Sequence, residues 1–182
     1  MLIPSLIVVA VVVAVLVFLI ARQPSTFKVV RSAAVPGPPE DLFEHVNDLR
    51  SWEAWSPWAK RDPTMRQTYD GPPAGVGATS EWSGNREVGA GRMTITESVP
   101  HERVGLRLDF LKPFAATHTA EFTFAPDGDR TVVTWSMSGD KIFASRVICL
   151  FMDMDKMIGR DFEQGLAALA ALAAVRPAMA AG

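Results

Sequence analysis

Residues 89–138 read GAGRMTITESVPHERVGLRLDFLKPFAATHTAEFTFAPDGDRTVVTWSMS, and the period of this stretch decides the fold. Apolar and polar residues alternate through Gly89–Val99, Arg103–Phe110, Thr117–Phe124 and Arg130–Ser138, as in strands that bury one face. Pro100-His101, Lys112-Pro113 and Asp127-Gly128 separate them with turn chemistry, and Asp127-Gly128 is a two-residue hairpin signal. Upstream, Thr64–Tyr69 and Ala78–Ser83 add two strands, punctuated by Gly71-Pro72-Pro73 and Gly84-Asn85. A first strand, Phe27–Val35, places Phe27, Val29 and Arg31 on one face.

Two short helices follow that first strand. Pro39-Glu40-Asp41 opens one that runs to about Asn47, with proline in its first turn, acids at its positive end, and Leu42, Phe43 and Val46 as its apolar stripe. Asp48–Trp58 forms the other, ended by Pro57, with Trp52 and Trp55 on one face. After the strands, Ile142 to about Ala174 returns to helical period. Phe143, Val147, Leu150, Phe151, Met154, Ile158, Phe162, Leu166 and Leu169 make one stripe. A helix of roughly 30 residues is about three times the average length and needs a long surface to lie on. The antiparallel strands supply it, and the fold class is α+β.

The chain has 182 residues, is 48% hydrophobic and carries a net charge of −2. All 18 Lys and Arg and all 20 Asp and Glu lie after position 21. Residues 2–21 are apolar apart from Pro4 and Ser5, and 20 helical residues span about 30 Å, a bilayer's hydrocarbon core. No basic residue precedes the run and no small-x-small site ends it, which argues against a cleaved signal peptide. The expectation is a separate N-terminal transmembrane helix over 1–21, a linker over 22–26, a domain over 27–174 and a flexible tail over 175–182. Arg22, Lys28 and Arg31 place that domain on the cytoplasmic side of a single-pass membrane protein.

This order of elements, together with particular residues, resembles the helix-grip fold of the START and birch-pollen-allergen-like superfamily, SRPBCC, and within it the bacterial polyketide cyclase/dehydrase-like proteins. The residues carrying the resemblance are Pro38-Pro39-Glu40-Asp41-Leu42-Phe43, Asp48–Trp58, Tyr69-Asp70-Gly71-Pro72 and Gly75-Val76-Gly77-Ala78. Trp82-Ser83-Gly84-Asn85, Gly89–Ile95 and Asp161–Leu166 continue it. The resemblance implies a curved antiparallel sheet of about seven strands wrapped around the long C-terminal helix, with an apolar cavity between them.

Strand phase then nominates the cavity lining: Trp82, Met93, Ile95, Leu106, Leu108, Phe110, Phe122, Val133, Trp135 and Met137, joined by Phe151, Met154 and Ile158 from the helix. The same phase describes a filled core equally well, and both readings stand. Glu97 and His118 share the inward phase and are the candidates for ligand hydrogen bonding or proton transfer. Both also lie near strand ends, where a bulge or solvent resets the phase. Trp52, Trp55 and Trp58 either sit at a membrane interface or plug the sheet against Tyr69 and Trp82.

His45, His101 and His118 fall in three elements, so no metal is expected, and no cofactor motif is present. Gly75-Val76-Gly77 and Gly89-Ala90-Gly91 precede strands and read as turn or bulge glycines. Asp153 and Asp155 point apart on a solvated helix face. The charge balance argues against nucleic acid. The expected function is a membrane-anchored protein that binds a hydrophobic small molecule or lipid without catalysis. The alternatives are a polyketide cyclase/aromatase-like enzyme using Glu97 or His118, and an interaction module with a filled core.

Overall fold

The structure, a computed structural model, describes residues 2–141 and 153–180. A helix α1 (Leu2–Arg22) leads into strand β1 (Thr26–Pro36). Helix α2 (Pro39–Asn47), a 3-10 turn (Leu49–Ser51) and two single-turn helices, α3 (Trp52–Trp55) and α4 (Pro57–Arg61), follow. Six strands come next: β2 (Arg66–Asp70), β3 (Thr79–Ser83), β4 (Ala90–Val99), β5 (Arg103–Lys112), β6 (Ala116–Asp127) and β7 (Arg130–Asp140). Helix α5 (Met154–Ala180) follows the last strand.

The strands form one antiparallel sheet in the order β1-β7-β6-β5-β4-β3-β2. Each strand from β2 to β7 therefore pairs with its sequence neighbour, as short turns require, and only β1 travels to reach β7. Helix α5 packs on one face of the sheet, an α+β helix-grip arrangement. Phe162, Leu166 and Leu169 of α5 are buried against Val29, Val35, Phe122, Val133 and Trp135 in one core. Helix α2 closes the same core with Leu42, Phe43 and Val46.

Several expectations need correction. Among the described residues no helix is long and apolar enough to cross a membrane. That finding overturns the expected transmembrane anchor and single-pass membrane location. Pro57 does not merely end the second helix. It opens α4 at a position where its missing N–H costs nothing.

Helix α5 begins at Met154 and runs past Ala174 to Ala180, and the stretch from Ile142 also expected to be helical lies outside the described residues. Asp153 marks the start, its carboxylate accepting from Lys156 N at 3.2 Å as a helix cap. Phe143, Val147, Leu150 and Phe151 of the expected stripe lie outside the described residues.

Asp155 lies on a solvated face, as expected, with 56% of its side chain exposed, and it is paired there. Arg31 reaches from the inward face of β1 to both Asp155 carboxylate oxygens, at 2.8 and 3.2 Å, and to Glu163 at 2.8 Å. The guanidinium lies where a Cβ on Gly159 would be, 2.0 Å from its Nη2, so glycine there is a notch for Arg31. Hydrogen bonds from Arg31, aided by its charge, hold the Asp155 carboxyl below its usual range.

Candidate ligand cavity

The interior divides along the strands. At one end, Ile95, Val104, Leu106, Phe122, Phe124 and Val133 are buried together under α2, and this half is solid core. The three tryptophans stand at the division. Trp52 donates from Nε1 to Val46 O at 2.9 Å and Trp55 to His45 O at 3.2 Å, so both indoles are satisfied in the interior. Their rings meet Phe122 and Trp135 edge-on, Trp58 meets Trp135, and Trp135 stacks on Phe162 with centroids 4.1 Å apart. The cluster therefore builds on Trp135 and Phe122, not on Tyr69 and Trp82 as the sequence suggested.

Beyond this aromatic wall lies a cavity of about 460 Å³, within the range of small-molecule sites. Of the residues nominated from strand phase, Trp82, Met93, Leu108, Phe110, Trp135, Met137, Met154 and Ile158 line it. Ile95, Leu106, Phe122 and Val133 do not. They fill the solid half instead. Phe151 lies outside the described residues. Strand phase assigns a side chain to a face but carries no information on depth along the strand, so it could not separate these groups.

The two polar candidates part company. Ladder partners run Ile95 to Leu106 and then Glu97 to Gly105, so Thr96 is an extra residue and the strand bulges. The bulge turns Glu97 out, where it accepts from Arg103 Nη2 at 2.6 Å with 47% of its side chain exposed. Ser98 turns in and donates to Asn47 of α2. Glu97 is thereby removed as a cavity residue.

His118 keeps its inward phase and lines the cavity. Phe27 and Phe110 pack on its ring at 4.8 and 5.3 Å, and its edge fits over Gly139, where a Cβ would approach Cδ2 to 2.5 Å. Its Nδ1 is buried and has no hydrogen-bond partner among the described residues. Burial pushes the imidazole pKa below 6.5, opposed by the Asp140 carboxylate, so the ring is neutral at pH 7.

Other lining residues are not nominated from the sequence, although the phase of Phe27 with Val29 and of Ser80 with Trp82 could have found two of them. Met65, Gln67, Ser80 and Phe27 face the cavity, as do Arg61 and Asp161, which form a bidentate ion pair between α4 and α5. Gln67 Nε2 donates to Ser80 Oγ at 3.1 Å across β2 and β3. Five methionines line the space, Met65, Met93, Met137, Met154 and Met157, unbranched side chains that adapt to irregular shapes.

A β-sheet wrapped on one helix with a cavity at one end can hold an apolar molecule and offer it one neutral imidazole. A model of the family described as polyketide cyclase / dehydrase and lipid transport matches residues 26–174. The chain belongs to that family. Within the polyketide cyclase / dehydrase and lipid transport family and the SRPBCC superfamily around it, solved structures share the fold. A protein of Chromobacterium violaceum is 18% identical with a TM-score of 0.58, the match covering 83% of this chain and 98% of that one.

The di-domain ARO/CYC protein StfQ from the steffimycin biosynthetic pathway is 12% identical with a TM-score of 0.62, over 84% of this chain and 52% of that one. The Aha1 dimer of Colwellia psychrerythraea is 14% identical with a TM-score of 0.55, over 79% and 93%. No curated protein matches the chain. At these identities the likeness establishes the fold of this family member and leaves its chemistry to the site.

Proposed function

We propose that the unit spanning residues 27–174 binds a hydrophobic small molecule or lipid in the cavity between the sheet and α5, without catalysis of its own. The observation that carries this reading is the cavity of about 460 Å³ with its aromatic and methionine walls. Its walls match the usual makeup of ligand pockets, apolar surface with a few polar groups. The family description, which includes lipid transport, agrees with it.

The test is uptake of the neutral fluorophore N-phenyl-1-naphthylamine. The wild-type chain is expected to bind it with a blue-shifted rise in emission at one site. Leu108→Trp, which fills the space from β5, is expected to weaken binding at least tenfold. No emission change, or equal binding by the filled variant, contradicts the proposal.

A second reading is favoured by one atom, the unpartnered Nδ1 of His118. A neutral imidazole in an apolar cavity can accept a proton, as a cyclase/aromatase-like enzyme would require. Conversion of a poly-β-ketone thioester by the wild type and not by His118→Phe supports it. Recovery of the thioester unchanged refutes it.

A further inference from the structure

The ladder partners place Ser80, Met93, Leu108 and His118 in one rung across β3, β4, β5 and β6. All four line the cavity. The rung is apolar in the middle and polar at both ends. At one end, the buried Ser80 hydroxyl accepts from Gln67 and keeps its own proton to donate. At the other, His118 Nδ1 is buried without a partner among the described residues. Three interstrand steps separate the two ends, at most about 14 Å along the sheet and less between side chains leaning over a concave face.

Both ends are uncharged, and the charges nearby oppose an anion. Asp140 lies beside His118, and the lining carboxylates Glu53, Glu87, Asp140 and Asp161 outnumber the cations Arg61 and Lys112. An anionic headgroup would meet net repulsion here. An apolar body with no polar atoms would leave Nδ1 unsatisfied and forfeit a hydrogen bond at each end.

We infer that the ligand is an uncharged, elongated apolar molecule with a hydroxyl or carbonyl group at each end, roughly 10–14 Å apart, read by His118 and Ser80. This inference rests on the cavity being a ligand site and narrows the class of ligand.

The experiment compares trans-stilbene, 4-hydroxystilbene and 4,4′-dihydroxystilbene with palmitate, measuring each Kd on the full chain. The expected order is dihydroxystilbene tightest by at least tenfold over stilbene, with the monohydroxy compound between them and palmitate weakest. His118→Phe, which keeps the ring packing, and Ser80→Ala are each expected to cut the dihydroxy affinity about fivefold or more. Each variant is expected to prefer the diol over stilbene by a smaller factor than the wild type does, and cooperative thermal unfolding of each verifies that it is folded.

Equal affinity for stilbene and its diol, or palmitate binding tightest, overturns this inference and leaves the cavity reading intact. Failure of all four to bind overturns the cavity reading, and this inference with it.

Discussion

At Gly165 a methyl group would stand 2.7 Å from Cζ3 of Trp135 and 3.3 Å from Pro57 Cδ. A shift of Trp135 disturbs its packing with Trp52, Trp55, Trp58, Phe122 and Phe162, which hem its ring on the sides away from the cavity. Gly165→Ala is therefore expected to cost about 1–3 kcal/mol from overpacking, despite the helix propensity it gains. Gly159→Ala meets only the end of the Arg31 side chain, which can swing away. Its melting temperature should stay well above that of Gly165→Ala, and calorimetry of the pair decides the point. What approaches each glycine is not legible in the sequence, because β1, β7 and α5 meet only in the fold.

His118 carries the pH prediction at this scale. Its folded pKa is lowered from 6.5, so the unfolded chain binds more protons wherever the two states differ. Stability from this group is present above pH 6.5 and is lost as the pH falls through the folded value. Wild-type protein should lose melting temperature on acidification below pH 6.5 more steeply than His118→Phe does. Parallel slopes would contradict the burial of the imidazole.

At the scale of elements, seven strands and the helix α2 were legible because alternation and turn chemistry act locally. Single insertions are not legible in this way. Thr96 carries no mark that separates it from a ladder residue, yet it decides that Glu97 points out and Ser98 in. Deleting Thr96 should leave both the Glu97–Arg103 and Ser98–Asn47 pairs in register. Deleting Thr94 forces Ile95, 1% exposed, off the core face or breaks the pairing of Met93 with Leu108. The denaturation midpoint of the Thr96 deletion should exceed that of the Thr94 deletion, and the reverse order would remove the bulge from the account. The cap at Asp153 is illegible for a related reason: an apolar stripe passes through this position without showing that its carboxylate caps the turn that follows.

At the scale of the molecule, the choice between a cavity and a filled core turned out to divide along the sheet. One end is filled by α2 and the tryptophans, and the other is hollow beside His118. Composition could not reveal this, since both halves use the same apolar residues. The apolar count of residues 2–21 likewise suggested a membrane span, whereas among the described residues no helix is long and apolar enough to cross a membrane.

The hollow half carries the central claim, and its methionines report on it directly. Among the described residues, Met65, Met93, Met137, Met154 and Met157 line the cavity. Methyl-labelled methionine spectra recorded during titration with N-phenyl-1-naphthylamine test the claim most simply. The five lining methyl signals are expected to shift together and to saturate at one ligand per chain. Five stationary signals, or shifts that do not saturate at one ligand per chain, would contradict the cavity.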